Sequence, residues 1–176
     1  MDTQLLDNAI RRVNDFPKPG ILFYDITSLL TCPKAFGAVI EEMYLLYKDA
    51  GFDAVAAIES RGFIFGAPLA ERLGIPLVLI RKKGKLPGEV YSQSYALEYG
   101  SAELEVHKAD VKKGDSFIIV DDLIATGGTV DATRKLLEKA GAKASEVFGV
   151  IGLPQLNYQK VLSPMKITTL INYDGK

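Results

Sequence analysis

The sequence predicts an α/β fold, with one mainly parallel, twisted sheet flanked by helices. Three observations predict it. Short apolar runs at 54–58, 77–80, 117–120, 147–153 and 167–171 have the length and uniform apolarity of strands buried on both faces. Stretches of helical period separate most of them, the alternation that builds parallel sheets. The runs ending at Ile58, Ile80 and Val120 pass at once into polar, glycine-bearing loops, where open α/β sheets place their ligands.

Taken in order, residues 3–14 carry Leu5, Leu6, Ile10 and Val13 at helical spacing with arginines opposite, which predicts a short amphipathic helix. Phe16-Pro17-Lys18-Pro19-Gly20 must stop it. Residues 21–26 read as extended, and Phe23 and Tyr24 read two ways: a covering segment packed on the core, or a wall for a flat ligand. Residues 33–50 predict a helix with Phe36, Val39, Ile40, Met43 and Leu46 inward, Pro33 in its first turn and Gly51 past its end. After strand 54–58 comes Glu59-Ser60-Arg61-Gly62, then a helix with Phe63, Ala67, Ala70 and Leu73 on one face, stopped by Gly74. Arg61 reads as a partner of Glu59 or Asp25, or as an anion contact.

Strand 77–80 runs into Arg81-Lys82-Lys83-Gly84-Lys85, four cations in five positions. Such a run is ordinarily a solvated loop; at a strand's carboxyl end it points to an anion such as pyrophosphate. Residues 89–107 alternate about a turn near Gly100, the pattern of a long hairpin standing off the sheet as a lid. A helix over 129–140 has Val130, Thr133, Leu136 and Leu137 inward and Gly141 as its stop. Residues 154–163 form a loop or short helix before the closing strand.

At 176 residues the chain is one domain with one real core. A net charge of −1 gives no general attraction to nucleic acid or to a membrane, so neither is expected as a partner, and a polyanion must be held by a local arrangement. The single cysteine, Cys32, rules out an internal disulfide and fits a reducing cytoplasm. The single histidine, His107, cannot build a metal cluster by itself. MDTQLLDNAIRR has neither a signal-peptide nor a transit-peptide pattern, and no apolar run reaches membrane-span length.

The centre of the chain is FIIVDDLIATGGT at 117–129. A buried strand ends in two carboxylates, Asp121 and Asp122, and opens through glycines into a helix. Glycines let backbone N–H groups converge, and a helix N-terminus adds partial positive charge, so this loop suits a phosphate. The acids suit hydroxyl groups or a metal held with them. Phosphate and polyol together describe a sugar phosphate.

VDDLIATGGT resembles the phosphoribosyl-pyrophosphate (PRPP) motif of the type I phosphoribosyltransferases. FPKPGILFYDIT at 16–27, ESRGFIFG at 59–66, IRKKGKLPG at 80–88 and SYALEYGSAELEVH at 94–107 resemble, in the same order, those members of the family that act on adenine. The resemblance implies the type I phosphoribosyltransferase fold over residues 1–176. It divides the chain into an N-terminal hood segment (1–32), a core (33–153) with a flexible β-hairpin flap (84–107), and a C-terminal segment (154–176). It implies attack of adenine N9 on C1 of PRPP, with AMP and pyrophosphate as products, magnesium carried in with PRPP, and a homodimer in the cytoplasm. Ala125, Thr126, Gly127, Gly128 and Thr129 would cradle the 5′-phosphate, with Asp121 and Asp122 at the ribose. Glu59, Ser60, Arg61, Arg81, Lys82, Lys85 and Tyr99 would hold pyrophosphate, across a loop peptide that in this family is often cis. Glu98 and Tyr99 would lie nearest the reaction, with Glu98, Asp121, Asp122 and Arg61 catalytic. Leu22, Phe23, Tyr24 and Leu153 would hold the base. Tyr24, Gly152 before Leu153, and Asn157-Tyr158 depart from the family's usual residues. Other readings are a transferase for hypoxanthine, guanine or xanthine, and a non-catalytic PRPP-binding regulator.

Overall fold

The computed structural model describes residues 2–96 and 100–174. Helix α1 (Thr3–Ala9) leads into a small antiparallel pair, β1 (Arg11–Asn14) and β2 (Leu22–Asp25). Helices α2 (Thr27–Leu30) and α3 (Pro33–Tyr47) follow. Then come β3 (Ala54–Ile58), α4 (Gly62–Leu73), β4 (Leu77–Lys82) and a hairpin of β5 (Val90–Ala96) and β6 (Ser101–His107). The chain finishes with β7 (Ser116–Ile124), α5 (Gly128–Lys139), β8 (Lys143–Gly152), α6 (Tyr158–Leu162) and β9 (Lys166–Asn172). Among the described residues one sheet runs β5-β6-β4-β3-β7-β8-β9, parallel from β4 to β9 and antiparallel at the hairpin edge. The mainly parallel sheet with helices on both faces is as the sequence predicts.

Strand alternation divides the core. Phe117 and Ile119 of β7 join the side covered by α5 and α6, while Ile118 and Val120 join the side covered by α1 to α4. Every residue of β3 is buried. Phe65, Phe117 and Phe148 are fully buried, each contributing about 1.5–3 kcal/mol relative to exposure.

Several elements differ from the sequence expectation. The first helix stops at Ala9, capped at its start by Asp2, whose side chain accepts from the N–H groups of Gln4 and Leu5. So short a helix gains little alone. Residues 11–14 satisfy their backbone by pairing with β2 instead, Arg12 opposite Tyr24 and Val13 opposite Phe23. Helix α3 ends at Tyr47 and turns Ala35, Val39, Ile40, Met43 and Tyr47 inward, so Tyr47 takes the inward place and Leu46 is 44% exposed.

Helix α4 is rotated from its expected face. It buries Gly62, Phe65, Gly66, Leu69 and Ala70 and leaves Ala67 exposed. The reason is close approach. A Cβ on Gly66 would lie 2.6 Å from Ala57 Cβ, and one on Gly62 would lie 2.6 Å from the Val120 carbonyl oxygen. The missing side chains make the contact face.

The hairpin does not stand off the sheet. β6 pairs with β4 through Arg81–Glu105 and Lys82–Leu104, and Leu104 and Val106 are buried. Tyr91 and Tyr95 pack on the core, and Lys139 Nζ of α5 donates to the Ser92 carbonyl at 2.9 Å. Strand β7 also continues through both acids to Ile124, because the longer β8 offers partners that far: Gly149 beside Asp121 and Ile151 beside Leu123.

Candidate active site at the carboxyl edge of the sheet

Register brings the sequence-predicted residues to one edge. Ala57 of β3 lies between Leu79 of β4 and Val120 of β7. One or two residues further, the three chains deliver Glu59, Arg81 and Asp121–Asp122 side by side. The Glu59–Ser60 peptide is cis, as the resemblance implies.

After β7 the chain turns through Ala125, Thr126 and Gly127 into α5. Gly127 takes φ +83, which L side chains rarely adopt, and a Cβ there would lie 3.1 Å from Leu162 Cγ. The turn wraps a cavity of about 80 Å³ lined by Asp121, Leu123, Ile124, Ala125, Thr126, Gly127, Gly128, Thr129 and Val130. A small cavity at a helix N-terminus suits an anion, through the helix dipole and the free N–H groups.

A second cavity of about 350 Å³ adjoins it. Its wall holds Ser60, Arg61, Lys82, Asp121 and Asp122, and it shares Asp121, Leu123, Ala125 and Thr129 with the first. Arg61 Nε donates to Asp122 Oδ2 at 2.6 Å, with Asp122 nearly buried and Arg61 half exposed. Asp122 thus takes the place that the sequence offers to Glu59 or Asp25. Burial works against the Arg61 guanidinium. The hydrogen bond and charge of Asp122, with Asp121 and Asp25 behind, nonetheless raise its pKa. Glu59 turns instead to the basic strand end, where Arg81 Nε and the Lys82 N–H both donate to its Oε2 at 2.9 Å. The Arg81 bond outweighs desolvation and holds the Glu59 carboxyl below its ordinary pKa.

Asp121 differs from its neighbour. Its Oδ1 accepts the Asp122 N–H at 2.9 Å, and it has no ion pair among the described residues. Burial first, and the adjacent Asp122 charge second, push its pKa well up. Such a carboxylate calls for a cation or hydroxyl groups. Among the described residues no group of three His, Cys, Asp or Glu could hold a metal. A hard, six-coordinate cation fits these two carboxylates when a ligand's own oxygens complete its shell.

Not every expected residue gathers here. Lys85 is exposed and lines neither cavity. Glu98 and Tyr99 lie outside the described residues. Leu22 and Leu153 are half-buried against the α1–α4 side of the core, Phe23 is half-buried with its ring edge-on to Phe16 at 5.0 Å, and none of the three lines either cavity. The Tyr24 ring is buried and stacks on Tyr173, so of the two readings of that side chain the core takes it, and only its backbone is left to face a ligand.

Sequence reasoning missed Tyr95 and Leu104, which line the larger cavity from the hairpin; the alternation of 89–107 carried that signal. It also missed Glu105, nearly buried, which accepts the Gly84 N–H at 2.9 Å and fixes the basic turn.

Comparison with known proteins agrees with this geometry. The model of the phosphoribosyl transferase domain matches residues 25–154. The adenine phosphoribosyltransferase of Treponema denticola is 60% identical over 176 residues, all of this chain and 93% of that protein. Among solved structures, the adenine phosphoribosyltransferase of Thermoanaerobacter pseudethanolicus superposes with a TM-score of 0.92 at 45% identity, covering 97% of this chain and 99% of that one. The Saccharomyces cerevisiae adenine phosphoribosyltransferase, complexed with an imino-altritol bisphosphate and adenine, gives 0.89 at 36% identity, covering 96% and 98%. Fold, edge and sequence converge, and this chain belongs to the phosphoribosyl transferase family.

Proposed function

We propose that this chain is an adenine phosphoribosyltransferase of purine salvage, converting adenine and PRPP to AMP and pyrophosphate. The observation that carries the reading is the wall shared by the two cavities. A 5-phosphate in the loop cavity puts the ribose over Asp121 and the pyrophosphate beside Ser60, Arg61 and Lys82.

In the reaction the bond from C1 to the pyrophosphate oxygen breaks with its electron pair going to that oxygen, the bond from adenine N9 to C1 forms, and the N9 proton passes to solvent. Positive charge grows on the ribose and negative charge on the leaving group. Asp121 steadies the first; Arg61 and Lys82 steady the second. Preorganised charge of this kind is commonly the largest catalytic term. Asp122 orients Arg61, and Glu59 orients Arg81 and the Lys82 backbone, so these two acids work behind the cations. By the family resemblance, Lys85, Glu98 and Tyr99 would also act on the leaving group. Asp121 and Asp122 are the carboxylates that would hold magnesium carried in with PRPP, and the ion would supply positive charge to the departing pyrophosphate. The base lies between the backbone of Leu22, Phe23 and Tyr24 in the hood and the side chain of Leu153. Leu45, Leu46 and Ile64, exposed on α3 and α4, support a homodimer, and the lone cysteine supports a cytoplasmic location.

The test is incubation with adenine, PRPP and magnesium, reading AMP and pyrophosphate, against a panel of hypoxanthine, guanine and xanthine. Absence of product with PRPP binding intact overturns catalysis in favour of a PRPP-binding regulator. Preference for a 6-oxo base overturns the assignment of adenine.

A further inference from the structure

Tyr173 follows β9, far in sequence from the hood, yet it touches both proposed flanks of the base site. Its N–H donates to the Gly152 carbonyl at 3.0 Å, one residue before Leu153. Its ring lies on that of Tyr24, centroids 3.9 Å apart and planes within 1°. Its hydroxyl donates to Asp7 Oδ1 at 2.8 Å, and Arg12 Nη2 donates to the same oxygen at 2.6 Å. The Arg12 guanidinium carbon stands 5.2 Å from the Tyr173 ring centre and 6.0 Å from that of Tyr24. Arg12 is the cross-strand neighbour of Tyr24. Both rings are buried, at 9% and 7% exposure.

We propose that Tyr173 is a positioning residue that sets the gap between β2 and the Gly152–Leu153 turn, and so the fit of the purine. Rings are large, stiff contacts with few torsions to freeze, so a stacked pair fixes spacing better than aliphatic side chains do. Beside the stack, Asp7 joins the Tyr173 hydroxyl to Arg12 on β1, and this charge-assisted pair resists sliding. The hood is otherwise a two-stranded sheet, which is marginal alone. The charge chemistry stands apart: neither ring lines the cavities of Asp121, Arg61 and Lys82. Losing the stack therefore weakens the base and spares PRPP.

This inference rests on the reading of β2 and Leu153 as the base site. The experiment compares Tyr173→Phe, Tyr173→Ala and Asp7→Asn with the parent enzyme, measuring KM for adenine and for PRPP separately, kcat, and the melting temperature. Tyr173→Ala is expected to raise KM for adenine about tenfold and KM for PRPP less than twofold. Tyr173→Phe, which keeps the stack, should restore most of the loss. Equal rises in both constants, or an adenine KM unchanged in Tyr173→Ala, overturn the proposal. Where Tyr173→Ala does not fold, Tyr173→Phe and Asp7→Asn decide it: a rise of two- to threefold confined to adenine supports it, and none overturns it. Parent enzyme that turns over another purine instead tells against the adenine reading alone, and the same ratio is then measured with that purine.

Discussion

Arg61 and Asp122 meet at 2.6 Å, joining the start of α4 to the end of β7. The bond holds a half-exposed guanidinium in one direction on the wall of the larger cavity. Asp122→Asn keeps the shape and removes the charge. Loss of one preorganised contact costs about 3–4 kcal/mol of barrier. Turnover in the AMP-forming assay is expected to fall roughly a hundredfold to a thousandfold, with the far-ultraviolet spectrum unchanged. Turnover within twofold of the parent would contradict the orienting role.

Asp121→Asn separates catalysis from stability. The folded Asp121 pKa lies above its unfolded value, through burial and the Asp122 charge. The folded protein therefore binds the proton more tightly, and ionising this group costs stability as pH rises through the raised pKa, by up to about 1.4 kcal/mol per unit. Asp121→Asn should melt with the parent at acid pH, where Asp121 is protonated, and melt higher at neutral pH. Its turnover should fall greatly at all pH values. Melting curves across the pH range check the first expectation and product assays the second.

Glu59 supports the cations from behind. Glu59→Gln weakens the hold on Arg81 Nε and the Lys82 N–H. KM for PRPP is expected to rise about tenfold, near 1.4 kcal/mol, with KM for adenine little changed. Initial-rate kinetics with each substrate varied in turn measure the split. The folded Glu59 pKa is lowered, so its stabilising contribution is present above the unfolded value and is lost as pH falls through the folded one.

Gly62→Ala tests the spacing of the site. Its new Cβ meets the Val120 carbonyl at 2.6 Å and must push α4 from β7. Overpacking of this kind costs about 1–3 kcal/mol. Melting temperature and turnover should drop together, whereas Ala67→Ser on the exposed side of α4 should change neither.

Strand β3 and residues 117–120 of β7 are legible in the sequence because burial on both faces leaves no alternation to misread. The glycine loop proposed for the phosphate is legible because glycine spacing and paired acids are local signals. The rest depends on distant partners. Nothing near Arg61 in sequence announces Asp122, sixty-one residues away. Residues 11–14 keep a helical spacing that β2 overrides by offering backbone partners. The face of α4 is misread because small residues, which look like a gap in a hydrophobic pattern, are the side that fits closest to the sheet. Tyr24 cannot be assigned without Tyr173.

The contact of Gly62 with the Val120 carbonyl has a consequence for any redesign of this enzyme. The spacing between the start of α4 and β7 is set by one backbone lying on another, with no side chain between them to trim or lengthen. Repacking helix α4 can alter its outer surface, but the closeness of Arg61 and Asp121 along the two backbones is not adjustable by that route. Adjustment of such a scaffold is left to the hood and the residue after the last strand, where rings and not peptides meet.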